Sequence, residues 1–276
     1  MPIVRRLLEF KEKPIIAVLH LPPLPGSPLY KYYWGEKDPL HIVDEAVNAA
    51  RLLDEEGVDA IIIENYGDKP YTIRVKNPAI LSMIAIITHS IVKETNLAVG
   101  INILRNSGPE AYLVAYSSGA SFIRVNSYCE TRVAPEGILE PVGREVEELR
   151  SNYPLGIKVL ADIDVKHSSP LACNYDLKRV IDDCIERFKP DALIVTGTRT
   201  GSAPQPGYVA IFKSSGKPIL VGSGVTSENI GAYWDIADGF IIGTFFKKSR
   251  ESFLELDRIK IRRFMEKVKR LRKKTL

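Results

Sequence analysis

The sequence predicts an α/β protein built as a single (β/α)8 TIM barrel, and three observations carry that expectation. Eight short apolar runs of strand character recur along the 276-residue chain, with helical patterns between them. A barrel of about 250 residues forms one domain around one core, and no low-complexity linker divides residues 1–276. The last two runs close in glycine turns, Val221-Gly222-Ser223-Gly224-Val225 and Ile241-Ile242-Gly243-Thr244. Glycines placed there let a barrel backbone approach a phosphate and offer it amide N–H groups.

The elements follow in order. Ile15–Leu21 is apolar except at His20, which suits a strand covered on both faces. The proline-rich insertion Pro22–Asp38 comes next, then a helical pattern over Ile42–Glu56 and a strand over Ala60–Asn65. A helix over Ala79–Glu94 leads to the strand Ala98–Leu104, and a helix over Glu110–Ser118 to the strand Phe122–Asn126. A second long insertion, Ser127–Gly143, precedes the helix Arg144–Tyr153 and the strand Lys158–Ile163. Leu177–Phe188 is helical, Ala192–Thr196 a strand, and a weak helical pattern covers Tyr208–Lys213. The strand Ile219–Val221, the helix Glu228–Ile236 and the strand Gly239–Ile242 complete the alternation. Both insertions would lie on the C-terminal face of the barrel, where they are candidate lids.

Composition narrows the function classes. No apolar run reaches the roughly 18 residues of a membrane span. The charged start, Met1–Lys13, lacks the apolar stretch of a signal peptide, so a soluble, cytoplasmic protein is expected. Cys129, Cys173 and Cys184 show neither metal-type spacing nor a disulfide framework, and Cys184 falls within a helix. Asp257–Leu276 carries ten Lys/Arg against two Asp/Glu, a net of +8 in a chain of net +4, so the remainder is about −4. Ile261, Phe264, Met265, Val268 and Leu271 recur at helical spacing there, so residues 257–274 read as an amphipathic helix with a solvated basic face. Without interleaved aromatic residues that face does not point to nucleic acid, nor to a membrane. The helix Ala79–Lys93, apolar around much of its circumference, suggests a homo-oligomer interface.

Barrel chemistry is carried by polar residues at the C-terminal ends of strands, because inward positions below them are filled by core side chains. Here the strand ends are polar: His20, then Glu64 and Asn65, then Asn102, Arg105 and Asn106, then Arg124 and Asn126. The fifth strand runs into Asp162, Asp164, Lys166 and His167, and the sixth into Thr196 and Arg199. Strand alternation puts Asp162, Asp164 and Lys166 on one face, and Arg124 and Asn126 on another. Pointing inward, these groups suit proton transfer at a carbon next to a carbonyl, with a carboxylate as base and Lys166 or Arg124 stabilising enolate-like charge. Two other readings stay open: a Schiff base on Lys166, and a structural Asp164–Lys166 ion pair. His20, Glu64, Asp162 and His167 are a candidate set for a divalent metal. Gly222, Ser223, Gly224, Gly243 and Thr244 are the candidate phosphate cradle, the rival reading being tight strand-to-helix turns. Arg199 suits a ligand phosphate or carboxylate.

Six ordered segments carry a family resemblance. They are Leu19-His20-Leu21-Pro22-Pro23-Leu24-Pro25-Gly26-Ser27-Pro28, Glu64-Asn65-Tyr66-Gly67-Asp68, Asn102-Ile103-Leu104-Arg105-Asn106, Phe122-Ile123-Arg124-Val125-Asn126, Asp162-Ile163-Asp164-Val165-Lys166-His167 and Val221-Gly222-Ser223-Gly224-Val225-Thr226. From about Pro14 to Lys248 the chain resembles the BtpA/SgcQ family. The resemblance implies a ribulose-phosphate-binding type of barrel. It also implies two kinds of role, since members in photosynthetic bacteria are associated with photosystem I biogenesis and others with sugar-uptake gene clusters. Some are labelled phosphoribosylanthranilate isomerase-like on fold grounds, and fold alone does not deliver a reaction. Asp162-x-Asp164-x-Lys166 departs from the Asp-x-Lys-x-x-Asp arrangement of orotidine-phosphate decarboxylase. Two functions are therefore expected to compete. One is an isomerase or lyase acting on a phosphorylated sugar or nucleoside-like metabolite, and the other is a non-catalytic assembly factor docking through its basic tail.

Overall fold

The structure, a computed structural model, describes residues 6–10 and 12–275. Residues 1–5 and Lys11, within the charged N-terminal stretch, and Leu276 of the basic tail lie outside the described residues. Eight strands close into a barrel: β1 (Ile15–His20), β2 (Ala60–Glu64), β3 (Ala98–Asn102), β4 (Phe122–Val125), β5 (Lys158–Ile163), β6 (Ala192–Val195), β7 (Ile219–Val221) and β8 (Gly239–Ile242). Each strand pairs in parallel with the next, and β8 pairs with β1. The helices that return the chain are α1 (His41–Glu55), α2 (Pro78–Glu94), α3 (Gly108–Ser118), α4 (Gly143–Asn152), α5 (Leu177–Phe188), α6 (Pro206–Ile211) and α7 (Ile230–Tyr233), followed by the terminal α8 (Arg258–Thr275).

Alternation along the strands divides the core in two. Ile15, Ala17 and Leu19 of β1 face the helix layer, whereas Ile16 and Val18 join Ile62, Leu160, Ile194 and Leu220 inside the barrel. Phe122 fills the centre because Gly100 opposite it has no side chain: a Cβ there would stand 2.1 Å from the ring. Leu8, 2% exposed, belongs to the same interior cluster, and the Lys158 ammonium donates to its carbonyl oxygen. The barrel is thus solid below its C-terminal rim, and inward side chains become polar only at the last layer.

Two helices differ from their patterns. The Glu228–Ile236 pattern yields only the single turn of α7, which contains Gly231, a weak helix former. The Tyr208–Lys213 pattern becomes α6 and a 3-10 turn, Phe212–Ser215, which ends at Gly216 with φ +67°. The Ser127–Gly143 insertion holds a hairpin, Arg132–Ala134 with Gly137–Leu139, to which Ser169–Pro170 from the loop after β5 adds a third antiparallel strand. Contrary to the expectation from cysteine spacing, Cys129 and Cys184 form a disulfide, Cα–Cα 5.2 Å, between this insertion and α5. Its partners are 55 residues apart and meet because β4 and β5 are barrel neighbours. Cys173 is free and exposed.

On α8, Ile261, Phe264, Met265 and Val268 are buried, while Arg262 and Arg272 pair with Glu56 and Asp59. Most of the apolar circumference of α2 is taken up inside the fold: Ile80, Met83, Ile84, Ile87 and Ile91 are buried, and Ile86 remains exposed. Among the described residues no helix is long and apolar enough to cross a membrane.

Candidate active site

The polar layer sits at the C-terminal ends of the strands. Register places His20 beside Glu64 and Glu64 beside Asn102, so β1, β2 and β3 deliver these side chains at one height. His20 Nε2 lies 3.5 Å from Glu64 Oε1, and the ring packs tilted at 40° against Tyr66, centroids 4.5 Å apart. Burial first, and then Lys247, Lys166 and Arg124, hold the imidazole well below its ordinary pKa. The contact is therefore a neutral imidazole beside a carboxylate. His20 Nδ1 is buried and has no hydrogen-bond partner among the described residues.

Asp162 is held differently. Its carboxylate accepts from Arg124 Nε at 2.9 Å, Arg124 Nη2 at 3.0 Å and Asn126 Nδ2 at 2.8 Å. Asn102 supports the group by donating to Asn126 Oδ1 and to the Arg124 carbonyl. Both side chains of the ion pair are buried, at 2% and 0% exposure, and a bidentate pair of this kind fixes the guanidinium plane.

Asp162, Asp164 and Lys166 do not share a face. β5 ends at Ile163, and Asp164 takes φ +53°, which ends the alternation on which that expectation rested. The Asp164 carboxylate accepts from Arg132 Nη2 and from the Tyr208 hydroxyl, both at 2.6 Å, so the ion pair it makes is with Arg132 and not with Lys166. Lys166, whose backbone N–H donates to Thr196 Oγ1 at 3.1 Å, lines the mouth. Burial and Arg124 pull its ammonium down to about 8.

Two chambers open at this mouth. The first, about 290 Å³, runs from His20, Glu64, Arg124 and Lys166 to the glycine turns Gly222–Thr226 and Gly243–Phe245, with Thr200 and Arg250 at its edge. Gly243 closes against the imidazole, since a Cβ there would lie 3.1 Å from His20 Cε1. Thr244 and Phe245 begin a 3-10 turn, so their N–H groups have no acceptor within it. Gly222 and Gly224 also carry packing: a Cβ on Gly222 would strike Ile194, and one on Gly224, φ +68°, would strike the Ser202–Ala203 backbone. Ser223 Oγ is committed to Gly197 N and Ser202 O. The second chamber, about 420 Å³, shares His20, Glu64, Arg124 and Lys166, and extends to Tyr66, Lys69, Arg105 and Arg199.

The remaining predicted residues knit loops together. Asn65 bonds Asp68 and the Leu104 amide, and Asn106 ties the Ser127 amide to the Glu140 carbonyl. His167 is exposed against Thr200. With Asp162 locked to Arg124 and His167 out on the rim, the candidate metal set does not converge. Among the described residues no three His, Cys, Asp or Glu groups are placed to hold an ion. Sequence reasoning missed Lys247, which lies after β8 and is 2% exposed with its amine pulled down to about 8, mainly by burial. It also missed Arg132, Tyr208, Lys69 and Arg250, none of which falls at the end of a barrel strand.

The sequence pattern of the BtpA family matches residues 11–270. The chain belongs to the BtpA family. An uncharacterised protein of Pyrococcus horikoshii is 41% identical over 96% of this chain and 99% of its own length. The photosystem I biogenesis protein BtpA of Synechocystis is 33% identical over 92% of this chain and 87% of its own. Solved structures of similar fold include N-(5'-phosphoribosyl)anthranilate isomerase from Pyrococcus furiosus, with a TM-score of 0.57, 11% identity, and coverage of 94% of this chain and 99% of that one. KGPDC from Streptococcus mutans, in complex with D-R5P, gives a TM-score of 0.59 at 11% identity, covering 95% of this chain and 99% of that one. The BtpA-family chain thus shares its barrel with metabolic enzymes.

Proposed function

We propose that this BtpA-family protein is an enzyme acting on a phosphorylated sugar or nucleoside-like metabolite, by isomerisation or carbon–carbon lyase chemistry. The supporting observation is the continuity of the first chamber, which joins the glycine turns after β7 and β8 to Glu64, His20 and Lys166. The phosphate sits against Gly243 and Thr244 with Arg250 nearby, and the reacting carbons lie over Glu64. Glu64 replaces Asp162 and Asp164 as the base, because those two carboxylates are occupied by Arg124 and Arg132.

For isomerisation, the Glu64 carboxylate takes a proton from the carbon next to the carbonyl, and the electron pair moves onto the carbonyl oxygen. Lys166 and Arg124 stabilise the resulting enediolate. Neutral His20 passes a proton between the two oxygens, and Glu64 returns its proton to the neighbouring carbon. At pH 7 an amine of pKa about 8 is protonated roughly ten to one, so Lys166 serves as a cation. The phosphate-bearing ligand of one neighbour, D-R5P on KGPDC, agrees with this substrate class.

The test is a thermal-shift titration with ribulose 5-phosphate, ribose 5-phosphate and inorganic phosphate. A ligand at a hundredfold excess over Kd adds about 2.7 kcal/mol of stability. Gly243→Ala pushes on His20 without entering a positive-φ region, and is expected to abolish the shift while leaving the unliganded Tm in place. An undiminished shift in that variant refutes the site.

A second reading, an assembly factor docking through α8, is favoured by the name of the Synechocystis relative. Truncation at Arg262 would strip the buried Phe264, Met265 and Val268, so charge reversal at the exposed Arg263 and Arg270 is the proper probe. Partner capture lost in that double variant but kept in Lys166→Ala supports docking, and the reverse pattern refutes it.

A further inference from the structure

The cations of the mouth are unevenly shared between its two chambers. Lys166, Arg124 and Arg250 line both, whereas Lys69, Arg105 and Arg199 line the second alone. The one carboxylate that belongs to the second chamber alone is Glu136. A phosphate on the glycine turns faces Arg250 and Lys166, and Arg124 is already matched by Asp162. Three cations against one carboxylate remain at the other end, and that excess needs an anion.

The local hydrogen bonding is also incomplete. Arg105 is only 5% exposed, and among the described residues its side-chain hydrogen bond goes from Nη2 to the Lys166 carbonyl at 2.6 Å. A guanidinium carries five donors. Glu136 stands 3.7 Å from Arg105 Nε, beyond hydrogen-bonding range, so it faces the guanidinium charge without taking up its donors. Donors of a largely buried guanidinium that line a chamber mark where an acceptor group of a ligand completes the network. Neutral hydroxyls could meet the donors but would leave the charge excess in place. An anion answers both.

We infer that the substrate is anionic at both ends, with its phosphate on the glycine turns and a second anion, carboxylate or phosphate, held in the second chamber by Arg105 with Lys69 and Arg199. This rests on the phosphate reading of the first chamber. Lys69, whose ammonium lies 3.9 Å above the Tyr66 ring, and Arg199, exposed on the loop after β6, flank the entrance. They attract the second anion, and Arg105 receives it through the fork geometry that suits carboxylate and phosphate alike.

Calorimetric titration of the full chain tests the inference with three probes: ribulose 5-phosphate, ribulose 1,5-bisphosphate and 6-phosphogluconate. At least one two-ended probe should bind tenfold or more tightly than ribulose 5-phosphate. The bisphosphate winning identifies phosphate as the second group, and 6-phosphogluconate winning identifies carboxylate. Arg105→Gln should bring the preferred probe down toward ribulose 5-phosphate. Because Arg105 also touches Lys166, a Lys69→Ala/Arg199→Ala double variant at exposed positions provides an independent check. It should reduce the advantage several-fold and flatten its dependence on salt. Ribulose 5-phosphate binding with no gain for either two-ended probe overturns this inference and leaves the phosphate site standing, as does a gain untouched by both variants. If none of the three binds, the phosphate reading falls and this inference falls with it.

Discussion

Replacing Asp162 by Asn separates two roles that a strand-end carboxylate can have. The wild-type carboxylate accepts three hydrogen bonds, two from Arg124 and one from Asn126, and neither member of the ion pair reaches solvent. In the variant an NH2 group faces donors on one side, and the Arg124 charge stays buried without a counter-ion. Breaking a buried pair from one side costs about 3–5 kcal/mol, because desolvation of the remaining charge is no longer offset. Against a total stability of about 5–15 kcal/mol, the loss should be plain in urea unfolding, as a lower midpoint at unchanged m-value. Asp162→Leu combined with Arg124→Met removes both charges and should recover most of it. The reasoning is refuted if Asp162→Asn unfolds like wild type, since the carboxylate would then not be neutralising Arg124.

Three further outcomes follow from titrating groups and the covalent bridge. Lys166 loses its charge as pH rises through about 8, so affinity for ribulose 5-phosphate should fall across that range and Lys166→Met should lack the step; borohydride trapping that grows above pH 8 would instead favour the Schiff-base route. Burial pushes the Asp68 carboxyl up to about 6 against the hydrogen bonds from Leu24 and Asn65, so the folded state binds its proton more tightly than the unfolded chain. The resulting stability is fully present below about 3.8 and is lost as pH rises through 6; Tm against pH should show that loss in wild type and not in Asp68→Asn. Reduction of Cys129–Cys184, which closes a 55-residue separation, should lower stability by about 4 kcal/mol on the chain-entropy relation, with Cys129→Ala as the matched control that reductant leaves unchanged.

The barrel was legible because its strands are apolar on both faces and its helices on one, and only the parallel alternation satisfies both patterns. His20, Glu64 and Lys166 were legible as polar residues at strand ends. What the sequence could not convey was how the carboxylates are shared out. Asp162 and Asp164 look equivalent in Asp-x-Asp, but φ +53° at Asp164 turns the second toward Arg132. Arg132 lies in a hairpin that only barrel adjacency brings near. The same holds for Cys129 and Cys184, whose pairing depends on β4 and β5 being neighbours. Gly224 was legible as a turn glycine, and only the close approach of Ser202–Ala203 shows that it packs a neighbouring loop as well.

The small antiparallel sheet gives the rim two unlike flanks. By joining the loop after β4 to Ser169–Pro170 beyond β5, with the disulfide beneath, it welds those two loops into one body that carries Glu136 and Lys166 together. Across the mouth, the loops after β6 and β8 meet where Arg250 donates one hydrogen bond, 3.2 Å, to the Thr200 carbonyl. Thr200 also bonds His167 in the loop after β5, so the loop after β6 bridges the welded flank to the loop after β8, and a ligand held by Arg250 is coupled through Thr200 to the body that carries Lys166.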